Sequence, residues 1–300
     1  MTSQFSLTVF TPTYNRAHTL PRLYKSLLEQ AGREKFEWLI IDDCSQDNTS
    51  ELVNEWITAN RLNIHYIKLD KNGGKPRAIN IAVEKACSPY LFIVDSDDFL
   101  VSGIIPRLIS ELDKIAHDDT ISGVGVMRQY PDGKCFAKPM FRDYIDATNL
   151  QRPYYGLDAD CNEAYKISVL RQFPFKVWEG EIFTPEATEL NAMAAAGYKI
   201  RWLATPGVIS EYQEDGLTKG SWNLQKKNPM GYAMLFNSNL LYAADLRQRI
   251  YATIQFTAQC LLGKHPEYLR KSNAKFLTLI TLPAGILVYA RRLWQYRRMR

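Results

Sequence analysis

Along the first hundred residues, unbroken apolar runs alternate with stretches of helical character. LTVFT (7 to 11), FEWLIID (36 to 42), NIHYIKL (63 to 69) and YLFIV (90 to 94) read as strands, and the segments near 18 to 31, 48 to 60 and 76 to 87 read as helices between them. Apolar runs without polar alternation are buried on both faces, and helices between successive strands supply the crossovers that parallel pairing needs. The pattern therefore predicts an α/β fold with a parallel sheet covered on both sides. In open sheets of this kind ligands lie beyond the carboxyl ends of the strands. Each polar cluster of the region falls at such an end: PTYNR after the first strand, DDCSQDN after the second, DKNGGKPRAIN after the third and DSDD after the fourth.

The last cluster carries the sharpest chemistry. In YLFIVDSDDFL, Asp95, Asp97 and Asp98 crowd the end of an apolar strand. Ser96, Asp97 and Asp98 have the chemistry of a cap for a helix beginning near Ser102, but one cap needs one such residue. Carboxylates packed this closely raise one another's proton affinity unless a cation neutralises them, and hard ions such as Mg²⁺ choose oxygen ligands. Asn48 and Glu51 have capping-box spacing, so part of the second cluster starts a helix, while Asp42 and Asp43 are left to accept hydrogen bonds from a base or ribose. The Gly73–Gly74 pair permits a tight turn, with Lys75 and Arg77 placed to counter a diphosphate. No GxGxxG and no GxxxxGK[ST] occurs, which removes the usual sequence support for a dinucleotide enzyme or a P-loop NTPase.

Composition narrows the class further. At 300 residues, 46% of them hydrophobic, the chain has material for one large core or two smaller ones. The net charge is +5, and the last ten residues, RRLWQYRRMR, hold five arginines and no acid, so the rest of the chain is neutral. A neutral body argues against a nucleic-acid groove, whereas a basic end suits an anionic membrane surface. Five well-separated cysteines without a CxxC pair read as reduced thiols, and the amino terminus shows no basic stretch followed by a long apolar run; both fit a cytoplasmic location. Beyond residue 225, Leu235, Tyr242, Leu246, Ile250 and Ile254 form a stripe expected to dock one long helix on the sheet domain. KFLTLITLPAGILVYARR then places fifteen uncharged residues between Lys275 and Arg291, fewer than the twenty or so of a spanning helix. With Trp294 and Tyr296 beside the arginines, this segment suggests a peripheral membrane anchor.

Four strings in order, TVFTPTYNRAHTLPRLYKSLLEQ, LIIDDCSQDNT, NGGKPRAINIAVEKA and YLFIVDSDDFL, resemble the family-2 glycosyltransferases of the GT-A fold, with further similarity to bacterial enzymes that build surface polysaccharides. The resemblance implies an inverting, metal-dependent hexosyltransferase that moves a sugar from a nucleotide-diphosphate donor, UDP-linked in the expected case, to a saccharide or lipid-linked acceptor. It implies a glycosyltransferase domain over 1–225 and a helical region over 226–300. Thr11, Pro12, Tyr14, Asp42 and Asp43 would hold the uridine, and Lys75 and Arg77 would lie near the base or diphosphate. Asp95 and Ser96 would contact the donor, and Asp97, the second acid of the DXD element, would bind Mg²⁺ or Mn²⁺. No histidine lies between residues 118 and 264 to complete the metal site, which leaves water and phosphate, or Glu211 or Asp215. FKVWEGEIFTPEATELNAMAAAGYKIRWL resembles the segment that carries the catalytic base; of its acids Glu179, Glu181, Glu186 and Glu189, the placement after FTP selects Glu186, with Glu181 next. A nucleotidyltransferase would bring a glycine-rich basic loop where this chain has PTYNRA, and a non-catalytic binding module would tolerate loss of the acids, all of which are present.

Overall fold

The structure, a computed structural model, describes residues 4–32, 35–138, 140–157, 159–211 and 221–298. Two compact units divide the chain: Met1–Pro174 with Ala196–Gln213, and Phe175–Ala195 with Glu214–Arg300. This differs from the expected break at 225, because residues 175–195 belong with the helices. Within that unit Glu181 binds the amino end of a later helix, which ties the segment there.

The first unit is a single sheet with flanking helices. Strands β1 (Leu7–Thr13), β2 (Phe36–Asp42), β3 (Ile64–Lys68) and β4 (Tyr90–Ile93) alternate with helices α1 (Leu20–Leu28), α2 (Thr49–Ala59) and α3 (Lys75–Lys85). Then follow β5 (Phe99–Leu100), α4 (Ile104–Lys114), β6 (Ile121–Gln129), β7 (Tyr144–Ala147), β8 (Cys161–Lys166), the short α5 (Ile167–Leu170) and β9 (Lys199–Ile209). The strand order is β3-β2-β1-β4-β8-β6-β9-β5, with β7 on β9. The four amino-terminal strands are mutually parallel, and β8 enters antiparallel between β4 and β6. Every residue of β2 is buried, as its unbroken apolar run requires of a central parallel strand. Leu20, Leu23 and Leu27 of α1 and Ile105, Leu108 and Leu112 of α4 pack into the same core, which is the i, i+3, i+7 geometry of a helix with one buried stripe.

Two local expectations are corrected. No capping box forms at Asn48: its side chain makes no cap hydrogen bond, and Asp47 instead accepts from the Thr49 amide (3.1 Å) and hydroxyl (2.6 Å). The long carboxy-terminal helix is broken. The second unit holds α6 (Ala187–Ala195), α7 (Ser221–Lys227), α8 (Pro229–Tyr242), α9 (Leu246–Leu262) and α10 (Lys275–Arg298). The Asp245 side chain accepts from the Gln248 amide at 2.8 Å, an N-cap that starts α9 and divides the expected stripe between two helices. Leu246 itself is 63% exposed. The small core of this unit gathers Met230, Ala233, Phe256 and Cys260 with Trp178 and Tyr268 packed against them.

Candidate active site

At the carboxyl edge of β1 to β4 the loops are laced into one net. The β1 exit turns at Asn15, whose positive φ of 54° suits asparagine; its amide donates to Ser45 Oγ (2.8 Å) and its Oδ1 accepts from the Gln46 amide (2.8 Å). Ala17 donates to Asp47 Oδ2. These bonds join the first loop to the second. Asp43 joins the second to the third, accepting from the Gly73 amide at 2.8 Å on one oxygen and from the Gly74 amide at 2.7 Å on the other. Gly74 has a φ of 82°, which explains the glycine, and α3 starts directly after it. From the first turn of α3, Lys75 reaches Asp95 Oδ1 at 2.7 Å and so joins the third loop to the fourth.

The aspartate cluster is built on a tight turn, with the Asp98 amide donating to the Asp95 carbonyl at 3.1 Å. Arg128, at the end of β6, points its guanidinium between the two acids, 3.3 Å from Asp95 Oδ2 and 3.3 Å from Asp98 Oδ2. Burial by itself would raise the Asp95 carboxyl, but Lys75 and Arg128 outweigh it and hold the group at about 2, so Asp95 is ionised. Asp97 is pushed above the usual carboxylate range by burial and then by the Asp95 charge, against opposing pulls from Arg16 and Arg128. Asp98, 4% exposed, is pushed up in the same way, chiefly by burial, with Arg128 resisting. The crowding of carboxylates is thus partly relieved within the protein: Arg128 and Lys75 neutralise Asp95, while Asp97 sits at the rim with its proton affinity raised. A cation bound beside Asp97 would favour its ionised form.

The expected donor contacts fall into two groups. Tyr14 is 45% exposed and Pro12 half-buried at the β1 exit, Lys75 and Arg77 are half-buried around the Gly73 turn, and Ser96 is buried in the aspartate turn. Arg77 donates to the Lys71 carbonyl at 3.2 Å and lies against Gly73, where a Cβ would collide with it. Thr11 is fully buried, its side chain faces the core and its hydroxyl accepts from the Trp38 indole at 2.9 Å. Asp42 and Asp43 act first as braces. Asp42 has no exposed surface and accepts from the Ser45 amide (2.7 Å) and the Tyr66 hydroxyl (2.5 Å), so it meets a ligand only where one of these gives way.

Among the described residues, no three His, Cys, Asp or Glu side chains gather as a metal cage. Glu211 is ion-paired with Arg22, which also donates to the Asp97 carbonyl at 3.2 Å; Asp215 lies outside the described residues. In the helical unit Glu186 is half-buried immediately before α6. The two oxygens of Glu181 accept from the Met230 (2.8 Å) and Gly231 (2.7 Å) amides and so cap α8. Glu189 is buried and pushed up to about 7 by that burial, with the Lys176 amide 3.3 Å from Oε1. Glu179 is exposed.

Residues missed in the sequence are the supports: Arg128, Tyr66, Asn15 and Arg22. Arg128 carried a visible signal, since it ends the apolar run ISGVGVM just as Asp95 ends YLFIV. Tyr66 had none, because an aromatic in a strand reads as packing.

The sequence model described as "Glycosyl transferase family 2" matches residues 8–169. A curated relative, poly(ribitol-phosphate) beta-N-acetylglucosaminyltransferase TarS of Staphylococcus aureus, is 26% identical over 206 residues, which are 66% of this chain and 35% of that protein. The chain thus spans about a third of that relative's length. Among solved structures, residues 1-349 of S. aureus TarS in complex with UDP-GlcNAc superpose with a TM-score of 0.62 at 17% identity, covering 99% of this chain and 93% of the other. A mannosyltransferase from Pyrobaculum calidifontis, solved with GDP-Man and Mn²⁺, gives 0.54 at 18% identity, covering 98% and 88%. The mixed sheet with its parallel amino-terminal half is therefore the GT-A fold, and with more than half of its length matched the chain belongs to glycosyl transferase family 2.

Proposed function

We propose that this protein is an inverting, metal-dependent hexosyltransferase that moves a sugar from a UDP-linked donor to a saccharide or lipid-linked acceptor of a surface polymer. The observation that carries the reading is the continuous net from Asn15 through Asp43, the Gly73–Gly74 amides and Lys75 to Asp95, which fixes four loops around one group of carboxylates. The UDP-GlcNAc complex of the TarS structure supports a uridine donor, and the polymer in that relative's name supports a surface-polymer acceptor. Among the described residues Cys44, Cys87, Cys135, Cys161 and Cys260 form no disulfide, which suits a cytoplasmic enzyme.

In this reading Tyr14 stacks on the base beside Pro12, and Lys75 and Arg77 face the diphosphate. Asp97 would hold Mg²⁺ or Mn²⁺, hard ions that choose carboxylate oxygens; its rim position fits a cation there. The ion, when bound, stabilises charge on the departing diphosphate. Asp95, held ionised by Lys75 and Arg128, orients the donor sugar with Ser96. Glu186 takes the proton from the acceptor hydroxyl as that oxygen attacks the anomeric carbon and the bonding pair leaves with UDP.

Release of UDP from UDP-GlcNAc in the presence of a poly(ribitol phosphate) acceptor tests the reading. Glu186→Gln is expected to cut turnover roughly 100-fold or more while leaving UDP affinity near normal, the usual scale for losing a general base. Turnover within a few-fold of wild type would remove Glu186 from the role.

A further inference from the structure

Helix α10 is inside out. Along α10 the buried positions are Thr278, Thr281, Gly285, Arg292 and Tyr296, whereas Phe276 (77% exposed), Leu279 (67%), Leu287 (71%) and Trp294 (53%) face outward. With Ile280 the exposed apolar positions stand three, four or seven residues apart (276/279, 276/280, 280/287, 287/294), so they form one stripe down the helix. The buried side packs on α9 through polar groups: the Thr281 hydroxyl donates to Thr253 Oγ1 at 2.9 Å, and Arg292 donates to Gln255. A Cβ on Gly285 would lie 2.5 Å from Thr257 Cβ, so the glycine serves close approach of this polar seam. A helix resting on a protein core in water does the opposite, burying its leucines and exposing its threonines.

We infer that the outer face of α10 lies in the interface of an anionic bilayer, with the helix axis in the membrane plane. The charge pattern selects lipid over a second copy of the chain. From Tyr268 to Arg300 there are eight Lys and Arg and no Asp or Glu, so a copy would present no counter-charge for this stretch, while anionic headgroups do. Arg298 stacks 3.6 Å from the Trp294 ring, placing a cation and an interfacial aromatic together at one end of the stripe. The helix is long and apolar enough to cross a membrane, with 24 residues, but only fifteen of them, 276 to 290, precede the exposed Arg291, which favours lying in the interface over spanning. Arg292 is buried against α9 and takes no part in this outer face. The inference does not depend on the transferase reading.

Flotation of the full-length protein with vesicles of phosphatidylcholine and phosphatidylglycerol, against phosphatidylcholine alone, tests it. Binding to the anionic vesicles is expected, with each exposed arginine contributing roughly fivefold at low ionic strength, and a salt-resistant remainder from the apolar stripe. Leu279→Asp with Leu287→Asp, both exposed and therefore compatible with folding, should cut binding at least tenfold with an unchanged circular dichroism spectrum and unchanged UDP affinity. Light scattering on the lipid-free protein supplies the second readout. A double variant that floats as well as wild type overturns the inference. So does a wild-type chain that ignores anionic vesicles, whether it is monomeric or forms a dimer that the variant dissociates.

Discussion

At the scale of single residues, the site turns on how three neighbouring aspartates are kept unequal. Asp95 is ionised because two cations reach it, at 2.7 Å from Lys75 and 3.3 Å from Arg128. Asp97 and Asp98 have raised proton affinity, chiefly from burial and then from the neighbouring Asp95 charge. Arg128 is the residue on which this depends. Its removal leaves the buried Asp98 without a counter-charge, and breaking such a pair from one side costs about 3–5 kcal/mol. Arg128→Met is expected to lose stability on that scale in urea unfolding, and Asp98→Asn in the same background should restore part of it. Failure of the second change to restore any stability would show that Arg128 acts by packing. The carboxylates were legible in the sequence because charge at the end of an apolar strand is out of place there. Their supports were not, since Tyr66 and Asn15 act through tertiary hydrogen bonds that no local spacing records.

At the scale of elements, the amino-terminal strands and helices followed their hydrophobic pattern closely, because continuous apolar runs and amphipathic segments have different periods. The helical unit did not. The stripe from Leu235 to Ile254 has helical spacing across a point where Asp245 caps a new helix, and periodicity cannot register a break that preserves phase. Glu181 shows a second limit: an acid in a loop reads as chemistry, yet here it caps α8 across nearly fifty residues of sequence. Glu181→Gln is expected to lower stability by about 1–2 kcal/mol, the cost of a weakened cap, with turnover per folded molecule retained. Loss of turnover with intact stability would return Glu181 to the catalytic role. Glu189 gives a pH signature. Its carboxyl titrates near 7 when folded against an ordinary value of 4.5, so the folded state holds the extra proton between these values. Stability therefore falls as pH rises from about 4.5 to 7 and stays reduced above that. Glu189→Gln should flatten this fall in melting temperature measured from pH 4.5 to 8; an unchanged slope would show that Glu189 is ionised in the folded protein.

At the scale of the whole molecule, the fold class could be read from the strand and helix order, and the family from four motifs in register. The division into units could not, because residues 175–195 leave the sheet unit and return to it in sequence while folding with distant helices. In the proposed function the carboxyl edge of β1 to β4 binds a nucleoside diphosphate with a divalent cation held by Asp97. Titration calorimetry of UDP with the wild-type protein, with Mn²⁺ and with a chelator, and then with Asp97→Asn, measures it most directly. The account predicts metal-dependent UDP binding in the wild-type protein, and in Asp97→Asn a binding constant that no longer responds to Mn²⁺, since the substitution keeps the side-chain shape and removes the charge. UDP binding that is equally strong with the chelator, or equally enhanced by Mn²⁺ in the variant, would contradict it.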